Sequence, residues 1–202
     1  MASKVVAFYG LMAAIVCTTT ILTHCRLAAQ LSEMRWALSV HSLTVLDTYH
    51  QWVDLQDFAG HVLIIVNIAS QCGLTKHQYA GLGQLLERYW ERGLRVLNFP
   101  CNQFGQQMPE ADGQEMVDHL RQVEAKIGHV FAKIKVNGPG AAPIYKLLTR
   151  SRSELRSGEI EWNFVKFLVD CRGHIYGRYG STAEPSVLAT DIELLLGKGC
   201  SQ

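Results

Sequence analysis

The chain has 202 residues, with 19 lysines and arginines against 18 acids for a formal charge of +1, 48% apolar residues and six cysteines. That profile suits one globular domain, and the near-neutral balance excludes a strongly basic nucleic-acid binder as well as disordered, collagen-like or low-complexity chains. Six cysteines in a chain of this length are too few for a disulfide-built scaffold.

The first thirty residues hold Lys4 and Arg26 but no acid, and the uncharged stretch between them, Val5 to Cys25, is rich in Val, Ala, Ile, Leu and Thr. A cation, an apolar run and then small residues is the order of a secretory signal, and the run approaches the roughly 20 residues that span a bilayer. Residues 1–29 are therefore expected to be a signal peptide or a membrane anchor, with a mitochondrial presequence as the alternative, and 30–202 the folded domain. Setting aside two cations and no acids turns the charge of +1 into −1.

Short strands are predicted within Leu38 to Leu46 and Gln51 to Leu55, before a turn at Ala59-Gly60. His61 to Ser70 (HVLIIVNIAS) is a β-branched run of the kind found in a central strand buried on both faces. After Gln71-Cys72-Gly73, the residues Tyr79, Leu82, Leu85, Leu86, Tyr89 and Trp90 recur at helical spacing from Thr75 to Arg92, and Gly93 stops that helix. A second buried strand, Leu94 to Phe99, completes a right-handed parallel βαβ unit. Pro100 to Pro109 is a loop. Gly113 to Ala125 is predicted to be a helix with Met116, Leu120 and Val123 inward, and Pro143 to Thr149 a short helix with proline in its first turn. Trp162 to Val169 and His174 to Tyr179 form a hairpin about Asp170 to Gly173, and Glu184 to Leu196 a closing amphipathic helix. The expected class is α/β, a central mixed sheet flanked by helices in the thioredoxin-like arrangement, with no second domain and no internal repeat.

Cys72 falls at the C-terminal end of a central strand and just before a helix, where free backbone N–H groups and the positive end of the macrodipole favour an anion. Chain order alone puts it at the carboxyl edge of the sheet, where reactive groups of open α/β sheets collect. An isolated cysteine is otherwise more often a small buried hydrophobe.

Asn67 to Thr75 (NIASQCGLT), Asn98 to Gly105 (NFPCNQFG) and Glu161 to Phe167 (EWNFVKF) closely resemble the three signature blocks of the glutathione peroxidase family. The similarity continues through Lys135-Val136-Asn137-Gly138 and Arg178-Tyr179-Gly180, and covers roughly Leu43 to Leu196. The resemblance implies a thioredoxin-like fold and reduction of hydrogen peroxide and organic or lipid hydroperoxides by a thiol, without metal or flavin. It makes Cys72 the reactive position of a cysteine homologue, and carries the rest of the family's active centre over to Gln107, Trp162 and Asn163. These residue types suit peroxide reduction. A thiolate attacking one peroxide oxygen expels the other as developing hydroxide or alkoxide, and two amides and an indole N–H supply neutral donors. The eight histidines show no metal-ligand spacing, so no cofactor is expected beyond a thiol co-substrate, glutathione or a thioredoxin-like protein.

The donor is less determined. Members that use thioredoxin carry a resolving cysteine in the helix after the NQFG loop, and Met116 to Val123 (MVDHLRQV) has none. Two routes remain: direct reduction by glutathione, or a disulfide with Cys101, as in secretory-pathway relatives that pass oxidising equivalents to disulfide isomerases. Leu74 stands where glutathione-using relatives commonly place a lysine. Cys171 and Cys200 are expected to be surface thiols, and Lys76 and His77 to lie on a solvated helix face. The short spacing from Ser151 to Glu161 lacks the insertion of tetrameric members and implies a monomer. The expected partners are a peroxide and a thiol donor, with membrane association through the N-terminal segment and no nucleic acid. A redox sensor or oxidant relay with weak turnover is the alternative function.

Overall fold

The computed structural model describes residues 39–150 and 158–199, together with Arg26. The rest of the predicted targeting segment, and Cys200, lie outside the described residues. Ser39–Gln202 forms one compact unit by its own contacts.

Two seven-residue strands, β3 (Val62–Ile68) and β4 (Leu94–Pro100), lie at the centre of a five-stranded sheet of order β5-β4-β3-β6-β7. Every residue of β3 is buried, which is why its sequence is apolar at every position but Asn67 and does not alternate. β4 runs parallel to β3, and helix α1 (Thr75–Tyr89) makes the crossover between them. On the other side of β3, β6 (Lys166–Val169) pairs antiparallel and continues into β7 (Ile175–Tyr179). A small separate ribbon joins β1 (Thr44–Leu46) to β2 (Trp52–Asp54). Helices α2 (Gln114–Gln122), α3 (Pro143–Leu148) and α4 (Ala189–Gly197) complete the thioredoxin-like arrangement read from the sequence.

Alternation along β3 and β4 divides the core. Val62, Ile64, Val66, Ile68 and Val96 pack with Leu82, Leu85 and Leu86 of α1, Met116 and Leu120 of α2, and Ile192 and Leu195 of α4. Leu63, Ile65, Leu97, Phe99 and Cys101 pack on the opposite face with Tyr145 and Leu148 of α3. Each such fully buried aliphatic or aromatic side chain contributes about 1.5–3 kcal/mol.

Several elements differ from the sequence expectation. β5 (His129–Val130) is two residues long, too short for any periodic signal, and rests on Asn98, whose Nδ2 donates to the carbonyls of Ile127 (2.7 Å) and His129 (3.0 Å). The preceding Gly128 has φ +96°, and a Cβ there would stand 2.7 Å from the Val96 carbonyl oxygen. The strand expected from Trp162 begins only at Lys166, because Phe164 takes a left-handed φ of +64°. Val123, expected to face inward, is 48% exposed, since α2 ends one residue earlier. The closing helix opens as a 3-10 turn, Pro185–Leu188. Cys171 is not a free thiol: it is disulfide-bonded. The other described cysteines, Cys72 and Cys101, are free.

Among the described residues one lysine is fully buried: Lys166, whose ammonium donates to Gln78 Oε1 (2.8 Å) on α1 and to the carbonyls of Ala183 (2.5 Å) and Ser181 (3.4 Å). Three N–H groups thus meet three acceptors and tie β6 to α1 and the 181–183 loop. Burial pulls its pKa down to about 8, against the opposing pull of Glu184 and Glu161. An unfolded lysine titrates at about 10.4, so between these values the unfolded chain binds more protons and stability rises with pH. Urea unfolding at several pH values should show the wild type gaining on Lys166→Met between pH 8 and 10. A pH-independent difference would contradict the assignment.

Candidate active site

The site is assembled at the carboxyl edge of β3 from three chain segments. The first is the turn that follows β3. Thr75 N donates to the Cys72 carbonyl (3.0 Å) and Thr75 Oγ1 to the Ala69 carbonyl (2.8 Å), which folds Ala69 to Thr75 into a tight bend opening directly into α1. The N-cap of that helix is Leu74, which has no side-chain cap to offer. Cys72 is partly exposed, packs against the α1-side core, and lines a groove with Ser70, Gly73, Thr75, Lys76 and Tyr79.

The second segment is the loop after β4. Gly105 (φ +62°) and Gln106 (φ +54°) are both left-handed, and they reverse the chain so that Gln107 returns to the Cys72 turn. There the Gln107 carbonyl accepts from Ser70 N (2.9 Å) and Gln71 N (3.0 Å). The Gln107 side chain lies back over Gly105, where a Cβ would come within 3.6 Å of Nε2.

The third segment, Trp162 to Val165, is held by one side chain of β3. Asn67 is fully buried; its Nδ2 donates to the Trp162 carbonyl (3.0 Å), its Oδ1 accepts from Val165 N (3.1 Å), and its own carbonyl accepts from Phe164 N (2.7 Å). This clamp maintains the left-handed Phe164 and points Asn163 into the site, where Asn163 Nδ2 donates to Gln107 Oε1 (2.9 Å). The fully buried Asn163 has no partner at Oδ1 among the described residues. Trp162 stays 38% exposed with its ring centroid 5.6 Å from that of Phe104.

Cys72, Gln107, Asn163 and Trp162, scattered over some ninety positions, are therefore brought to one edge of the sheet. The sequence expectation treated the two amides as parallel donors; here Asn163 Nδ2 donates to the side-chain oxygen of Gln107. Asn67 is absent from the residues that the sequence marks for chemistry, although an asparagine inside an otherwise apolar buried strand is itself a signal, since such a group must find partners.

The glutathione peroxidase family model matches residues 40–149. The chain belongs to the glutathione peroxidase family. It is 45% identical over 159 residues to a probable phospholipid hydroperoxide glutathione peroxidase of Mesembryanthemum crystallinum, an alignment covering 79% of this chain and 93% of that one. The crystal structure of T. cruzi GPX1 superposes with a TM-score of 0.65 at 31% identity, covering 81% of this chain and 99% of the other. A thioredoxin family thiol:disulfide interchange protein from Chlorobium tepidum TLS superposes with a TM-score of 0.57 at 13% identity, over 79% and 96% of the two chains, which shows the thioredoxin-like fold. The protein is thus a thiol-dependent peroxidase that reduces hydroperoxides.

Cys101 is placed apart from this cluster. Its backbone N–H donates to the Ile68 carbonyl (3.1 Å), but its side chain is fully buried in the core on the α3 side of the sheet, with Sγ 3.9 Å from Gln103 Oε1. Burial pushes its thiol pKa up, and hydrogen bonding from the Gln103 and Val136 backbone and the charge of Lys133 only partly oppose this. His77 and Lys76 are exposed on α1, and Leu74 is half-buried against the core.

Asn67→Ala should leave the Trp162 carbonyl and Val165 N–H without their partner, costing about 2–4 kcal/mol of stability. Denaturant unfolding would measure that loss. Peroxide turnover in the folded fraction should fall with it, because Asn163 loses its support; full turnover would show that the clamp does not place the site.

Proposed function

We propose that Cys72 is the peroxide-reducing thiol, with Gln107 as amide donor, Asn163 as its orienting partner and Trp162 as the exposed wall. The observation that supports this best is the hydrogen-bonded path from the Cys72 turn through the Gln107 carbonyl to the Gln107–Asn163 amide pair. The Cys72 thiolate attacks one peroxide oxygen; an S–O bond forms, the O–O bond breaks, and the sulfur is oxidised to a sulfenic acid. Hydroxide or alkoxide leaves, accepts a hydrogen bond from amide N–H, and takes up a proton to become water or an alcohol. A first donor thiol then forms an S–S bond with Cys72, releasing water, and a second thiol releases the donor disulfide and restores Cys72.

Direct attack by an external thiol, glutathione or a thioredoxin-like protein, is the route that the packing favours. A Cys72–Cys101 bridge requires both β-carbons to converge within about 4.5 Å, and Cys101 is packed on the other face of the sheet from the core that Cys72 contacts. We place the protein in the secretory pathway as a monomer tethered or targeted by residues 1–29. The disulfide-bonded Cys171 supports an oxidising compartment, and the segment between Lys4 and Arg26 supports the targeting. Finding Cys171 reduced in a mitochondrial pool of the native protein would overturn that placement.

Full-length protein should consume hydrogen peroxide and a lipid hydroperoxide with glutathione, thioredoxin or a disulfide isomerase as donor. Cys72→Ser should abolish consumption, and Gln107→Ala should slow the peroxide step by about 10²–10³, the range for loss of an oxyanion donor. Cys101→Ser should leave turnover unchanged; a Cys72–Cys101 disulfide found by mass spectrometry would instead make Cys101 the resolving thiol. No consumption with any donor, despite a sulfenic acid forming at Cys72, would favour the sensor reading.

A further inference from the structure

A polar cluster lies behind the Cys72 turn and is not explained by the residues already given roles. Ser70 Oγ is 2.6 Å from Glu110 Oε2 and 3.3 Å from the Gln107 carbonyl oxygen. A hydroxyl has one proton, and the shorter contact to a charged acceptor takes it. The second oxygen of Glu110 faces His119 Nδ1 of α2 at 3.4 Å, with 12% and 20% of the two side chains exposed. The other ring nitrogen, His119 Nε2, is buried without a partner among the described residues, as is the Tyr79 hydroxyl of α1. Burial first, and the Glu110 charge second, push the Tyr79 pKa up. Lys133 Nζ fixes the backbone at the same residue by donating to the Glu110 carbonyl (2.6 Å).

We propose that Glu110 is a positioning residue for peroxide reduction, its carboxylate bracing Ser70 of the Cys72 turn against His119 of α2 so that Gln107 and Cys72 keep their relative placement. The inference rests on Cys72 being the reacting thiol. The brace works by tethering the Ser70 hydroxyl to a carboxylate held by α2. With its proton drawn to Glu110, Ser70 leaves the Gln107 carbonyl to the Ser70 and Gln71 N–H groups, and that pair of bonds joins the Cys72 turn to the Gln107 loop. Removing either the Glu110 carboxylate or the Ser70 hydroxyl breaks that tether and leaves the turn held to the loop by the backbone pair alone. The loop then shifts, and the amide that must meet the departing oxygen shifts with it. Glutamine at 110 keeps an acceptor for Ser70, so it should preserve most of the effect.

The test compares full-length wild type, Glu110→Ala, Glu110→Gln and Ser70→Ala in two single-turnover reactions of Cys72: oxidation by hydrogen peroxide and alkylation by iodoacetamide. Alkylation needs the thiolate but no donor for a leaving oxygen. Glu110→Ala and Ser70→Ala should each slow peroxide oxidation by about tenfold, equivalent to about 1.4 kcal/mol of barrier, with alkylation unchanged within about twofold. Glu110→Gln should recover most of the peroxide rate. Ser70→Ala breaks the same contact from the other side, so it decides the matter if Glu110→Ala fails to fold. Wild-type peroxide rates in both alanine variants, or peroxide and alkylation rates falling in parallel, would overturn the brace. Cys72→Ser tests the thiol assignment separately, since it removes both reactions whatever Glu110 does.

Discussion

The site depends on a single amide inside the central strand. Asn67 sits among seven consecutively buried residues of β3, where an unpaired amide would cost several kcal/mol, and it is paired entirely to the Trp162–Val165 turn. The dependence is mutual: the turn contains a non-glycine residue at positive φ, a conformation that persists only when surrounding contacts over-determine it. The Phe164 ring supplies another of those contacts, packing edge-on to Tyr79 of α1 at 5.8 Å. The route from strand to turn to helix thus closes on the element that begins three residues after Cys72.

What this frame presents at the sheet edge is mostly neutral. Gln107 and Asn163 contribute amides and Trp162 an indole, while the charged members, Glu110 and Lys133, stand one layer out and hold backbone and hydroxyl groups. A neutral donor suits this chemistry, because charge moves from sulfur to the departing oxygen and must be accommodated in both places without a fixed counter-charge trapping either. The left-handed pair Gly105-Gln106 serves the same end: it returns Gln107 to the Cys72 turn in a loop too short for a regular element.

Long-period information was legible in the sequence. The parallel strands around α1 could be read because burial on both faces demands continuous apolar runs, and Cys72 could be placed because chain order alone puts it where β3 ends. Contacts that depend on one residue were not legible. β5 has two residues and no pattern; the failure of the strand at Trp162–Val165 stems from an interaction with Asn67, 95 or more positions away; Val123 continues the helical periodicity but falls just past the end of α2. The Ser70–Glu110–His119 line has no sequence signature, since three residue types common on surfaces become a cluster only once α2 folds over the loop.

The fold also separates two kinds of sulfur chemistry. β6 runs antiparallel to β3, with Val169 opposite Leu63, so the turn holding Cys171 lies beyond the amino end of β3 while Cys72 lies beyond its carboxyl end. Seven strand residues put about 20 Å between those edges. Thiol–disulfide exchange requires a thiolate to reach a sulfur in direct contact, so the Cys72 thiolate cannot attack the Cys171 disulfide within one folded molecule. Cys101 is set apart differently, by burial on the far side of the sheet, which pushes its thiol pKa up. Of the three described cysteines, one is bonded, one is enclosed, and Cys72 alone is a partly exposed free thiol whose turn is hydrogen-bonded to Gln107.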